Sequence, residues 1–337
     1  MNNSTYINAI TYYLPEKKLT NQEINIKFPA WSIDKIAEKT GIYSRGIAEN
    51  NEFASDLAIK AVELLFSEYS IERESIDFIL YCTQSPDYFL PTTACVLQHK
   101  LGLSTSTGAL DFNLGCSGYV YGLSIAKALV ASKIAKKVLL ITAETYSKFI
   151  HPNDKSNLTI FGDAASATII STEKGLFCIG DFILGTDGSG AENLIVKNGG
   201  MRNFFQKGED IYNDSTFVKN DDNLYMNGSA IFNFTSKAVP ILVEKVIEKN
   251  KTTLPLIDAF IFHQANRYML DFIRKKIGIP TEKFFIHLEN CGNTVSSTIP
   301  IAIKEFLQSK KNNQKKILLA GFGVGYSWGG CILESCD

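Results

Sequence analysis

One series of short apolar runs and longer helical patterns occurs twice in this chain, and no other feature restricts its fold as much. Residues 76–81 (IDFILY), a helical pattern near 93–101, residues 110–112 (LDF), a second helical pattern near 117–134 and residues 138–141 (VLLI) follow one another in the first half. Strand-length apolar runs alternating with helices argue for an α/β protein with a mixed or parallel sheet. Residues 257–262 (IDAFIF) repeat the pattern of residues 76–81 at an offset of 181, residues 317–319 repeat 138–140 at 179, and Ala302 echoes Ala126 within its helix at 176. Offsets this similar, in the same order, indicate an internal duplication. The 337 residues then divide into two similar halves, 1–172 and 173–337, a length that suits two domains or one doubled domain. Between the repeated blocks, residues 202–222 read as a long polar excursion over the surface.

Charge and cysteine usage narrow the functional classes. Lys and Arg number 34 against 35 Asp and Glu, for a net charge of -1, so no nucleic acid or membrane partner is held by bulk electrostatics. The seven cysteines are scattered and form no CxxC pair, which speaks against a secreted disulfide framework and against the usual zinc spacings. The amino-terminal residues 1–6 (MNNSTY) have no basic region followed by an apolar run. The uncharged stretch 112–126 is rich in Gly and Ser and falls short of the ~20 apolar residues of a membrane span. The expectation is a cytoplasmic enzyme with reduced thiols and no metal site.

The chemically suggestive residues fall at corresponding points of the duplicated frame. Cys116 follows the strand at 110–112 and precedes an almost wholly apolar helix, between Gly115 and Gly118. Unpaired N–H groups and the dipole at a helix amino terminus favour a thiolate there. Gly292-Asn293-Thr294 occupies the matching place in the second half, before a helix starting near Ser297, and His263 ends the strand at 257–262. Strand ends are where α/β sheets present site residues, so thiol, imidazole and amide can converge at the seam between halves. Taken singly, each has a plainer reading: a buried small hydrophobe for Cys116, a satisfied structural group for His263 and a turn residue for Asn293.

The local sequences around these residues carry a resemblance. Residues 111–118 (DFNLGCSG), 263–266 (HQAN), 292–294 (GNT) with Ile299-Pro300, and 321–329 (GFGVGYSWG) all resemble the β-ketoacyl-acyl carrier protein synthase III family of the thiolase superfamily. So do Thr40-Gly41-Ile42 with Arg45 and Ile47-Ala48, and residues 161–165 (FGDAA); together the blocks run in family order from about residue 6 to 333. The resemblance implies a thiolase-like fold, two pseudo-symmetric α/β halves in a five-layered α-β-α-β-α sandwich, as a homodimer. It implies a Cys-His-Asn triad of Cys116, His263 and Asn293, with backbone N–H groups of Cys116 and Val324 as the oxyanion hole. Asn293 discriminates, because elongating synthases carry a second His at that place and thiolases use a second catalytic Cys. Cys291 and Cys331 do not fit the thiolase arrangement and read as structural.

The implied reaction is a decarboxylative Claisen condensation. An acyl primer, from coenzyme A or a carrier-protein phosphopantetheine thioester, passes to Cys116 and then joins malonyl-acyl carrier protein. These thioesters are substrates, and no separate cofactor is expected. Partners are acyl carrier protein, the acyl donor and a second copy of the chain. Two rival readings stay open: an acyltransferase on the same scaffold that passes the acyl group to a hydroxyl or amine, and a non-catalytic partner subunit.

Substrate contacts depart from the family pattern. The Trp usual five residues before Thr-Gly-Ile is Lys35, with Trp31 four residues earlier, and the Arg usual before Phe-Gly-Asp is Lys155. Lys does not stack as an indole or guanidinium does, so the usual adenine clamp is not expected in its usual form. The Phe-Lys pair that helps dock the carrier is Phe232-Asn233, the Arg two residues after Asn266 is Tyr268, and Arg267 is shifted by one. Leu90 stands where a bulky aromatic often limits the acyl pocket from across the dimer. Candidate substrate contacts are therefore Trp31, Lys155, Leu90, Phe232, Asn266 and Arg267. These departures resemble a specialised side branch handling a primer larger than acetyl, rather than the housekeeping initiator. The cluster Arg274-Lys275-Lys276 offers a local basic surface for a carrier. The glycine-rich 321–325 lacks a following crossover helix for a nucleotide, and His99, His151 and His287 have no ligand partners at metal spacing.

Overall fold

A computed structural model describes residues 4–309 and 315–336; Met1-Asn2-Asn3, the start of the segment without signal-peptide character, lies outside the described residues. The first half contributes strands β1 (Tyr6–Tyr13), β2 (Phe78–Cys82), β3 (Gly108–Phe112), β4 (Lys137–Glu144) and β5 (Ala164–Ser171). The second contributes β6 (Phe177–Thr186), β7 (Ala259–Phe262), β8 (Phe284–Phe285), β9 (Lys316–Gly323) and β10 (Ser327–Ser335). Their orders correspond strand for strand, β3-β2-β4-β5-β1 and β8-β7-β9-β10-β6. In each half the outer pairs β2–β3, β2–β4, β7–β8 and β7–β9 are parallel, and the pairs toward the centre are antiparallel. Two residue pairs, Tyr6 with Cys178 and Ile7 with Phe177, join β1 to β6 and unite the halves.

The helices named here are α1 (Ile33–Thr40), α2 (Ala54–Tyr69), α3 (Thr93–Lys100), α4 (Gly118–Ala131), α5 (Gly228–Lys249), α6 (Arg267–Ile277) and α7 (Thr298–Gln308). Strand β9 is buried from Ile317 to Gly323, as an unbroken apolar run covered on both faces must be. Its covers are explicit. Helix α4 packs on β4 and β9, and α7 packs on β1 and β7, so each touches strands of both halves. Helices α2 and α3 cover the outer face of the first sheet, and α5 covers the outer face of the second with α6 packed beside it. The result is five layers, α2/α3, sheet, α4/α7, sheet, α5/α6. Helix α7 is buried over nearly its whole length, including Pro300 and Lys304, which is why its sequence carries so few charges.

The excursion at 202–222 has more structure than its polarity suggests. It contains a hairpin, Ile211–Asn213 with Thr216–Lys219. His151 tethers it: the ring stacks on Phe217 at 4.1 Å between centroids, and Nε2 lies 3.4 Å from Asp210 Oδ1. This is a structural role for one of the three spare histidines.

Candidate active site

Cys116 sits in the turn between β3 and α4, and the surrounding glycines are required by contact. A Cβ at Gly323 would stand 2.8 Å from Cys116 Sγ, and one at Gly321 2.9 Å from its carbonyl oxygen. The β9–β10 turn is thereby pressed against the nucleophile. The N–H groups of Cys116 and Val324 both face the sulfur and pull the thiol's pKa down. Burial acts the other way and wins: with the Glu144 charge adding to it, it pushes Cys116 up to about 12. The helix-terminus argument expected a thiolate at rest. The fold instead favours the thiol, because burial outweighs the two N–H groups.

Asn293 lies across the seam. Its N–H donates to Ile160 O at 2.9 Å, and its C=O accepts from Gly162 N at 3.0 Å. Gly292 before it has φ +71°, and a Cβ there would meet Ile160 O at 2.8 Å. The Asn293 side-chain Oδ1 accepts from Val295 N–H at 2.9 Å, which leaves both Nδ2 protons for the cavity. His263 follows β7 and extends its ladder through N–H to Ala320 O at 2.8 Å. Burial lowers the imidazole pKa to about 3, so His263 is neutral.

Thr298, which no sequence motif marks, is the hydrogen-bond partner of the His263 ring. Thr298 Oγ1 donates to Val295 O at 3.0 Å and lies 2.8 Å from His263 Nδ1. A hydroxyl has one proton, so in this arrangement it accepts from Nδ1–H and Nε2 carries the free lone pair. Val295 was passed over as well, although its two backbone groups orient Asn293 and Thr298. Neither residue had a motif or period to mark it.

Cys116, His263 and Asn293 line one cavity of about 460 Å³, with Phe322 and Gly323 beside them. Its further walls are mostly apolar and include Phe161, Leu194, Met226, Ile231, Phe232 and Met269. A second cavity of about 810 Å³ opens toward α1 and shares Ile160, Met226, Gly228, Asn266 and Tyr268 with the first. Trp31, Lys35 and Lys39 line it, and Lys155 Nζ lies 5.3 Å from the Trp31 ring centre.

The other candidates divide. Asn266 lines both cavities while its Oδ1 caps α6 by accepting from Met269 N–H at 2.9 Å. Phe232 lines the catalytic cavity and packs on Tyr268 and Phe272 at 5.8 and 4.8 Å. Arg267 turns away to Glu289 at 3.1 Å and lies against Gly41, outside both cavities. Leu90 is 83% exposed and lines neither of these two cavities. Arg274 is engaged with Asp271 and Ile279 O, and Lys276 with Ser236 O, so within that basic cluster only Lys275 has no such contact among the described residues.

Two repeated α/β halves enclosing a buried thiol, imidazole and amide at their seam define a thiolase-fold enzyme of the acyl-condensing class. Family comparison is specific: the chain matches the 3-oxoacyl-[acyl-carrier-protein (ACP)] synthase III model over residues 110–188 and its C-terminal model over residues 247–335. A β-ketoacyl-[acyl-carrier-protein] synthase III of Clostridium perfringens is 35% identical over 328 residues, covering 96% of each chain. A crystal structure of a 3-oxoacyl-(acyl-carrier-protein) synthase III is 47% identical, with TM-score 0.95 over 98% of this chain and 99% of that one. A 3-oxoacyl-(acyl-carrier protein) synthase from Burkholderia xenovorans is 34% identical, with TM-score 0.88 over 98% and 94%. The chain belongs to the 3-oxoacyl-[acyl-carrier-protein] synthase III family.

Proposed function

We propose that this protein condenses an acyl primer with malonyl-acyl carrier protein through an acyl-Cys116 intermediate. The observation that carries the reading is the shared cavity of Cys116, neutral His263 and Asn293, with the Cys116 and Val324 N–H groups turned on the sulfur. As Cys116 attacks the donor thioester, its proton passes to His263 Nε2, and the two N–H groups hold the tetrahedral oxyanion. The departing thiolate takes that proton and leaves acyl-Cys116. In the second step the carboxylate carbon of malonyl leaves as carbon dioxide, and its bonding electrons enter an enolate whose oxygen the Asn293 Nδ2 protons stabilise. In the tautomer with its proton on Nε2, reached by exchange of the ring proton with solvent and with Nδ1 accepting from Thr298 O–H, His263 joins them. The enolate carbon attacks acyl-Cys116, the sulfur leaves, and one solvent proton restores the thiol. The cycle balances on thioesters alone, so we assign it no cofactor.

The second cavity suits the nucleotide end of a coenzyme A donor. Trp31 offers a ring face, and Lys35, Lys39 and Lys155 offer charge for phosphates. Tyr88, Phe89, Leu90, Met201, Phe204 and Phe205 are exposed, with Phe89 and Phe204 in contact at 5.6 Å, which supports burial of this patch against a second copy. Leu90 then belongs to the partner's site rather than its own. The test is incubation with labelled malonyl-acyl carrier protein and acyl donors of increasing length. Carbon dioxide release with a product two carbons longer supports the reading. A product without malonyl carbons, or no adduct on Cys116 by intact mass, overturns it.

A further inference from the structure

Glu144 ends β4, and its side chain is fully buried. No Lys or Arg among the described residues pairs with it. Its carboxyl oxygens accept from Gln84 N–H at 3.0 and 3.2 Å, from Ser85 Oγ at 3.0 Å and from Ser296 Oγ at 2.9 Å. The first two partners follow β2 in the first half; the third belongs to the segment of the second half that carries Asn293.

Each side leads to the reacting groups. Gln84 Oε1 accepts from Tyr146 O–H at 2.7 Å, and its Nε2 donates to Asn113 Oδ1 at 3.0 Å. The same Oε1 would lie 2.6 Å from a Cβ on Gly115, so Gln84 supports the backbone directly before Cys116. Ser296 adjoins Val295, whose N–H and C=O orient Asn293 and Thr298. One carboxyl therefore ties the loop under the sulfur to the loop that holds the amide and, through Thr298, the imidazole.

A buried carboxyl without a cation is a costly way to fill space, and an apolar pair of similar volume would serve stability as well. Burial raises Glu144 to about 8, against the Gln84, Ser296 and Ser85 hydrogen bonds. The titratable groups that feel it are Cys116, Cys82 and Tyr81 on the first sheet and its loops, Tyr146 after β4, and Asp163 before β5.

We propose that Glu144 is a positioning residue that locks the nucleophile loop to the Asn293–Thr298 loop across the seam, and so sets both their alignment and the readiness of the Cys116 sulfur to react. The proposal rests on Cys116, His263 and Asn293 being the reacting groups. Its test compares wild type, Glu144→Gln and Ser296→Ala in two assays. Alkylation of Cys116 by iodoacetamide, followed by intact mass across pH 6–10, reads the sulfur alone. For Glu144→Gln the expected profile moves to lower pH, with alkylation near pH 9 about threefold faster, because a carboxylate that opposes ionisation is gone. Decarboxylation of malonyl-acyl carrier protein is expected to fall about tenfold in kcat for Glu144→Gln and about threefold for Ser296→Ala, with KM for the acyl donor within about twofold. Unchanged alkylation and kcat in both variants, whatever happens to Tm, overturns the proposal and leaves Glu144 a structural group. The alkylation arm still decides if wild type makes no condensation product, an outcome that instead overturns the functional reading.

Discussion

Val295 has φ +55°, a left-handed conformation that β-branched residues rarely adopt and that costs on the order of 1–3 kcal/mol. The strain is coupled to geometry. From that backbone its N–H reaches Asn293 Oδ1 and its C=O reaches Thr298 Oγ1, so one residue aims both the amide and the imidazole's partner. Thr298 is the more testable of the two. Thr298→Val keeps the shape and removes the hydroxyl that partners His263 Nδ1 in either tautomer. The expected loss is about tenfold in kcat for acyl loading and for decarboxylation alike, the effect of one hydrogen bond of about 1.4 kcal/mol in a buried site. Thr298→Ser restores most of it. Pre-steady-state acylation of Cys116, read by mass, and carbon dioxide release check both halves, and a valine variant with wild-type rates refutes the role.

The turn between β9 and β10 acts on the site through its main chain. Gly323→Ala places a methyl 2.8 Å from the Cys116 sulfur, and the nearest relief would move the nucleophile or the turn that presents the Val324 N–H. The variant is expected to fold, since the strand pairing of β9 with β10 is untouched, yet to give less than a hundredth of wild-type acyl-Cys116 by intact mass, a loss of about 3 kcal/mol or more. Strand β3 presents the other exposed element: it is the edge of its sheet, and Leu110 on it is 45% exposed. Leu110→Lys, with Phe89→Asp in the neighbouring loop, is expected to convert a dimer to a monomer by light scattering; a monomeric wild type refutes the assembly.

Elements also divide what sequence could and could not disclose. The duplication was readable because its physics repeats: Asp77 accepts from the N–H groups of Lys136 and Lys137 at 2.8 and 2.9 Å, and Asp258 accepts from those of Lys315 and Lys316 at 2.9 Å each. An Asp inside an apolar run is a local signal with a local cause. Thr298 and Glu144 carry no such signal, since each matters through a neighbour far along the chain. The upward shift of the Cys116 thiol is hidden from sequence for the same reason, as helix position is local and desolvation is not.

The whole molecule's response to pH follows from the groups it buries. Glu144 is raised to about 8 and Asp163 to about 6, both first by burial, while burial lowers His263 to about 3. A carboxyl raised in the folded state stabilises fully below its unfolded pKa, and that contribution is lost as pH rises through the folded value. For Asp163 the window runs from about 4 to 6, and for Glu144 from about 4.5 to 8. The lowered His263 works oppositely: its contribution is present above about 6.5 and lost as pH falls toward 3. Between pH 6.5 and 8 the His263 and Asp163 contributions are already constant, and Glu144 is the shifted group still titrating. Cys82, Cys116, Cys291 and Cys331, all raised by burial, begin to cost stability only above about 9. Tm is therefore expected to fall from pH 6.5 to 8, and Glu144→Gln is expected to flatten that slope while leaving the alkaline decline in place. Calorimetric melts of both proteins at half-unit intervals measure it directly. A wild-type Tm that is level or rising across this window would mean that Glu144 meets water or a cation in solution, and would remove the electrostatic basis for its hold on the sulfur.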